Sequence, residues 1–247
     1  MIVDAHAHWG NWYFPIAQLS VEDIVAYMQA QGIDVTILSS SLAIAYDFCE
    51  GNRRMAEAIE PYPQLLGYVV VNSNYVEESI AEMRRYLGAE GYPQFLGIKV
   101  HPLLAQHRYD TPQSLALTGA MAEYGLPVLI HTFGSPLESP WNVLPAAQAY
   151  PDLPIILAHM GGNAWWEGVR VAQESTNLYL EICSTWTDPE KIRAAIDAVG
   201  PKRVLFGTDA TLFEAAHMLG TVEDAGLSSE EYALVMGENA RRLFRLD

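Results

Sequence analysis

Residues 95–102 read FLGIKVHP, and the order of side chains within them points to the architecture. In an extended strand Leu96, Ile98 and Val100 leave one face, while Gly97, Lys99 and His101 leave the other. An apolar face packs against helices, and a face that turns polar at its C-terminal end suits the mouth of a parallel barrel. The design recurs along the chain. IVDAHAH from Ile2, VTILSS from Val35, LLGYVVVN from Leu65, PVLIHT from Pro127, PIILAHMG from Pro154, NLYLEIC from Asn177 and RVLFGTD from Arg203 complete a set of eight short apolar runs.

Helical periodicity fills the intervals. Ser20 with Asp23 and Asn74 with Glu77 read as capping boxes, Asp188 followed by Pro189 as a helix start, and Gly32, Gly88 and Gly125 as stops. SSEEYALVMGENARRLFRL reads as a terminal helix opened by Ser228 with Glu231, closing the outer ring. Eight strands, each followed by a helix, in 247 residues predict an α/β protein with a (β/α)8 TIM barrel. No GxGxxG follows the first strand, which argues against a doubly wound sheet. Without internal repeats or linker-like runs, residues 1–247 are read as a single domain.

Composition narrows the partners. Thirty acidic against 14 basic residues give a formal charge of -16, which argues against nucleic acid and anionic membrane and leaves a small-molecule substrate. No run of about 18 apolar residues could span a bilayer, and the start carries no signal-peptide pattern. Cys49 and Cys183 cannot build a disulfide framework, so a cytoplasmic location is expected. A homo-oligomer is compatible with all of this.

In a barrel of this kind the strand C-termini carry the chemistry. Five of the seven histidines fall beyond or within those ends: His6 and His8 on strand one, His101 on four, His131 on five and His159 on six. Strand eight adds Asp209, inward with Leu205 and Gly207, while Val204, Phe206 and Thr208 face out. On strand one the alternation of DAHAH projects Asp4, His6 and His8 together, away from Val3, Ala5 and Ala7. Imidazoles with a carboxylate bind zinc, manganese or iron, and such an ion lowers the pKa of bound water to about 7. His6 and His8 are spaced to grip one ion, with Asp209 able to ligate it and accept a proton.

DAHAH, GIKVHP, PVLIHT, ILAHMGG and VLFGTD together resemble the amidohydrolase superfamily, more narrowly its amidohydrolase-related branch of metal-dependent hydrolases and aminocarboxymuconate-semialdehyde decarboxylase-like enzymes. The resemblance runs from Met1 to the closing ENARRLF. It implies a metal-dependent enzyme with His6, His8, His131 and Asp209 at the metal positions and His159 as the catalytic histidine. The sequence departs from the branch where Asp209 is followed by Ala210 and Thr211 rather than an aromatic and a proline. Lys99 matches a lysine that is carboxylated in two-metal members. An acidic, metal-bearing mouth is expected to keep it a charged ammonium, so one ion is favoured over two.

All six tryptophans follow strand ends, which predicts an aromatic pocket contacted by Trp12, Phe133 and Trp165, with His101 beside them. Arg108 is a candidate fork for a substrate carboxylate, and inward Glu181 a candidate partner for a ligand histidine. The leading expectation is a hydrolase, with zinc as the first choice of ion. Metal-bound water would attack an ester, lactone or amide, Asp209 managing the proton and His159 or Lys99 stabilising the oxyanion. Non-oxidative decarboxylation of an aromatic or muconate-like acid is the alternative, and a silent metal-binding barrel the third reading.

Overall fold

The computed structural model describes residues 1–17 and 19–246. Eight parallel strands are hydrogen-bonded in sequence order: β1 (Val3–Trp9), β2 (Val35–Ser40), β3 (Leu65–Val71), β4 (Phe95–Val100), β5 (Val128–His131), β6 (Ile155–Ala158), β7 (Leu178–Glu181) and β8 (Val204–Leu205). The ring closes where Ala5 N donates to Phe206 O at 3.0 Å and Ala7 bridges Ala210. Helices between successive strands complete the (β/α)8 barrel.

The barrel interior is a packed core. Val3, Ala5, Ile37, Tyr68, Leu129, Ile156 and Leu205 fill it, each side chain of Leu or Ile size contributing about 1.5–3 kcal/mol on burial. Tyr68 is accommodated because residue 97 is glycine: a Cβ there would lie 2.7 Å from the tyrosine ring. Its hydroxyl donates to Ala5 O at 2.7 Å, so the largest interior side chain leaves no stranded polar atom. A larger apolar cluster, including Leu38, Ile98, Ile130, Leu157 and Phe206, lies between strands and helices.

Two bulges revise the face assignments. The β1–β2 register shifts between Asp4 and Ala7, so Val3 and Ala5 join the interior below the bulge while His6 and His8 enter the mouth above it. Asp4 therefore does not accompany the histidines. Its carboxylate accepts from Thr208 N at 3.0 Å and Thr208 Oγ1 at 2.6 Å, fastening the end of β8 to β1. The second bulge, between Phe95 and Gly97 of β4, turns Leu96 toward the interior cluster rather than the helices.

Helix punctuation follows the sequence with exceptions. Ser20 with Asp23 and Ser228 with Glu231 form capping boxes, and Asp188 accepts from Lys191 N. Asn74 does not cap: the helix Val76–Leu87 starts after Tyr75, and the Asn74 amide donates to Ala105 O instead. Gly32 ends its helix with φ of 70°, whereas Gly88 ends one in extended conformation. The terminal helix contains a π turn at Leu234–Glu238. Beyond it, Ala240 and Phe244 plug the barrel floor, a role deeper than the outer ring expected for them.

Candidate active site

At the β1 and β8 ends, His6, His8 and Asp209 converge. One donor atom from each lies within 4.8 Å of the others, and all three side chains are buried. Asp209 is placed by a left-handed backbone, φ 56°, and its N donates to His6 O at 2.7 Å. His8 Nε2 is 3.0 Å and His6 Nε2 3.8 Å from Asp209 Oδ1. Burial works against the charge on Asp209, but His8, His159 and Lys99 outweigh it and hold the carboxyl below its usual range.

Glu181 arranges His6. Its Oε2 accepts from His6 Nδ1 at 2.7 Å and from His159 N at 3.1 Å, and the Cys183 thiol donates to it at 3.1 Å. With the proton on Nδ1, His6 Nε2 presents a lone pair to the mouth. Gly207 makes this packing feasible, because any Cβ there would collide with the Glu181 carboxylate. Glu181 thus partners a histidine as the sequence suggested.

These residues fit a divalent ion. Asp209 Oδ1 is a buried carboxylate oxygen without a hydrogen-bond partner among the described residues, facing two imidazole nitrogens. Nitrogen and oxygen donors of this kind suit a borderline divalent metal. A second group of metal-capable side chains, His6, His159, Glu181 and Cys183, lies beneath. Protons already occupy it: His6 Nδ1 and the thiol donate to Glu181, and His159 Nδ1 donates to Cys183 O at 2.8 Å.

His131 stands elsewhere. Its Nε2 is 2.9 Å from Glu138 Oε2 and its Nδ1 is 3.1 Å from His159 Nε2, so neither nitrogen joins the His6, His8 and Asp209 set. His101 stacks on its ring at 3.8 Å, and Phe133 lies parallel to it at 5.8 Å. His159 takes up φ of 60° at the end of β6. Burial lowers the pKa of all five histidines, that of His159 to about 3.

Lys99 is fully buried with Nζ 2.9 Å from His6 Nε2. Burial lowers its pKa to about 8, outweighing Asp209, Cys183 and Glu181. Desolvation outweighs the acidic neighbours, yet a pKa of about 8 still leaves the amine mostly an ammonium at neutral pH. Trp12 sets its ring edge against His8 at 5.0 Å. Arg108 is not offered to the mouth, since its guanidinium binds Asp110 and Asn142. Trp165 begins the helix Trp165–Glu174 with Lys191 Nζ 5.8 Å over its ring. Glu138 and Cys183 escaped the sequence reading: Glu138 sits in a loop without periodicity, and Cys183 acts through its carbonyl as well as its thiol.

The sequence matches a model of the family described as Amidohydrolase over residues 3–246. The chain belongs to the amidohydrolase family. As an amidohydrolase it is an enzyme, built on a fold shared along its whole length with solved structures of low sequence identity. The 2,6-dihydroxybenzoate decarboxylase from Rhizobium superposes with a TM-score of 0.81 at 20% identity, covering 100% of this chain and 99% of that one. A 5-carboxyvanillate decarboxylase from Novosphingobium aromaticivorans, complexed with manganese and 4-hydroxy-3-methoxy-5-nitrobenzoic acid, gives 0.81 at 19% identity, covering 100% and 96%. A probable 2-pyrone-4,6-dicarboxylic acid hydrolase from Acinetobacter baumannii, with citric acid bound, gives 0.71 at 15% identity and 99% of both chains. The curated proteins contain no significant match to this amidohydrolase. No helix among its described residues is long and apolar enough to cross a membrane.

Proposed function

We propose that the protein is a metal-dependent decarboxylase of a small aromatic acid, with His6, His8 and Asp209 holding one divalent ion. This revises the order set by the sequence, which put hydrolysis first. One observation carries the change: the chain Cys183 O, His159, His131, Glu138 contains three hydrogen-bond positions. Two neutral imidazoles and a carboxylate supply two protons for them. The chain has room for one more.

Replacing a ring carboxylate by hydrogen consumes one proton. An anionic substrate beside His131 and His159 opposes their desolvation and raises their affinity for it. The proton arrives with the substrate, passes to the ring carbon as the bond to the carboxyl carbon breaks, and leaves the imidazoles neutral again. When bound, the ion would supply charge to hold and polarise the substrate's oxygens. Phe133, parallel to His131 and 5.6 Å from the His159 ring, offers a flat wall for an aromatic substrate. Lys99 adds positive charge below the mouth.

The folds of the two decarboxylases support this assignment, as does the manganese with a nitro-aromatic acid in one of them. Manganese therefore stands beside zinc as the ion to test. The metal-loaded protein is offered hydroxylated benzoates, lactones and amides in deuterated water and in water enriched with heavy oxygen. Carbon dioxide release with one deuterium on the vacated ring position is expected. Turnover confined to lactones or amides, with heavy oxygen in the new carboxylate, would return the assignment to hydrolysis.

A further inference from the structure

On the helix side of the barrel wall, next to His8, lies a cavity of about 230 Å³. Ala7, Ile24, Met28, Ile33 and Leu38 give it aliphatic walls, and Phe213 closes one side. A void of this size forfeits dispersion contacts along its whole lining and has room for far more than one water. Asp4, His8, Tyr27, Thr36, Thr211 and Glu214 supply its polar lining, and the Asp4 carboxylate is already met by Thr208. His8 Nδ1 and Thr36 Oγ1 are buried and without a hydrogen-bond partner among the described residues, in side chains 3% and 2% exposed.

Buried polar atoms left unmatched are costly, so a partner for them is favoured. The contrast with His6 shows what His8 lacks: His6 directs Nδ1 at Glu181, whereas His8 has no equivalent carboxylate. The cavity is also joined to the loop after Asp209. Ala210 and Thr211 line it, and the Tyr27 hydroxyl donates to Glu214 at 2.9 Å while accepting from Ala215 N at 2.6 Å. The helix Val21–Gln31 is thereby tied to the segment that carries a metal-site carboxylate.

We infer that this cavity is a second ligand site, taking a small aliphatic molecule that bears one hydroxyl or carbonyl oxygen. The oxygen accepts from His8 Nδ1–H or pairs with the Thr36 hydroxyl, and the hydrocarbon fills the aliphatic lining. Occupation supplies His8 with the outer partner that metal-bound histidines usually have, whose loss typically weakens metal affinity by about 10- to 100-fold. Ligand and ion then favour each other's binding reciprocally. The link to the ion rests on His8 being a ligand, as proposed above; binding in the cavity does not.

Cyclohexanol is the probe, titrated calorimetrically into the full chain and soaked into its crystals, with no turnover measured. One molecule per chain is expected, seated between His8 and the helix Val21–Gln31. Ile24→Phe, which fills the space, should weaken it at least about tenfold. Thr36→Val, which keeps the shape and so the fold, should weaken it about fivefold through one lost hydrogen bond. Absence of binding up to the solubility limit, or affinity unchanged in both variants, would overturn the site. In a chelator competition cyclohexanol should tighten manganese binding about tenfold; an unchanged manganese affinity with cyclohexanol seated in the cavity overturns the link to the ion.

Discussion

The two halves of the barrel mouth are built differently. On β8, β1, β2, β3 and their following loops, Trp12, Ser39, Ser41, Ser73 and Asp209 all contain buried polar atoms without partners among the described residues. On β5, β6 and β7 the reverse holds: His131, His159 and Glu181 are each tied to a neighbour through a short hydrogen bond. Buried polar atoms in a native fold are normally satisfied, so a one-sided deficit marks where something from outside belongs. On the function proposed above, the open β8–β1–β2–β3 half would receive the ion and the polar atoms of a substrate, and the finished β5–β6–β7 half would handle the proton.

Asp209→Asn attacks the open half at its centre. The change is nearly isosteric, so the fold should persist, while manganese affinity falls at least about 100-fold and turnover by about 10²–10⁴. Metal retained at full stoichiometry and wild-type affinity would remove Asp209 from the ion. His159→Asn tests the finished half. Turnover should drop about 10²–10³-fold with metal content unchanged; loss of metal in this variant would erase the division between the halves.

Acid should act on the metal-free protein through both halves at once. His6, His8, His101, His131 and His159 all have pKa values lowered chiefly by burial from the ordinary 6.5. Each ring binds fewer protons folded than unfolded below that pH, so their full stability is present above it and is lost as the pH falls. The slope reaches about 1.4 kcal/mol per pH unit for each titrating histidine. Asp4 and Glu181, raised by burial to about 7 and about 8, oppose this over the same range, but the five rings outnumber them, so urea midpoints of chelator-treated protein should decline from pH 7 to pH 5, and a rise would contradict the burial of neutral rings.

The smallest expected effect concerns Ser39, which pairs in register with His8 and has an unpartnered hydroxyl. If the open half contacts substrate, Ser39→Ala should raise KM about fivefold with kcat little changed, the worth of one neutral hydrogen bond. An unchanged KM would shrink the open half to its metal donors.

Much of this was legible in the chain because the barrel is regular. Alternation in FLGIKVHP places Lys99 and His101 correctly, and strand-end position alone gathers His6, His8, His159 and Asp209. What alternation misses is the bulge. One extra residue in β1 reverses the face of Asp4 relative to His6, and one in β4 does the same to Leu96, because a period of two has no memory across an inserted residue. Loop partners escape for another reason. Glu138 reaches His131 from an irregular segment, and no local pattern in SPLE announces it. Arg108 shows the converse: a promising residue type whose charge is met by Asp110 two positions on.

The division of the mouth is tested most directly by anomalous diffraction from manganese-loaded crystals. A single peak is predicted between His6 Nε2, His8 Nε2 and Asp209 Oδ1, with His131 still hydrogen-bonded to Glu138. Two peaks joined through a modified Lys99, or one seated on Glu181 and Cys183, would contradict it.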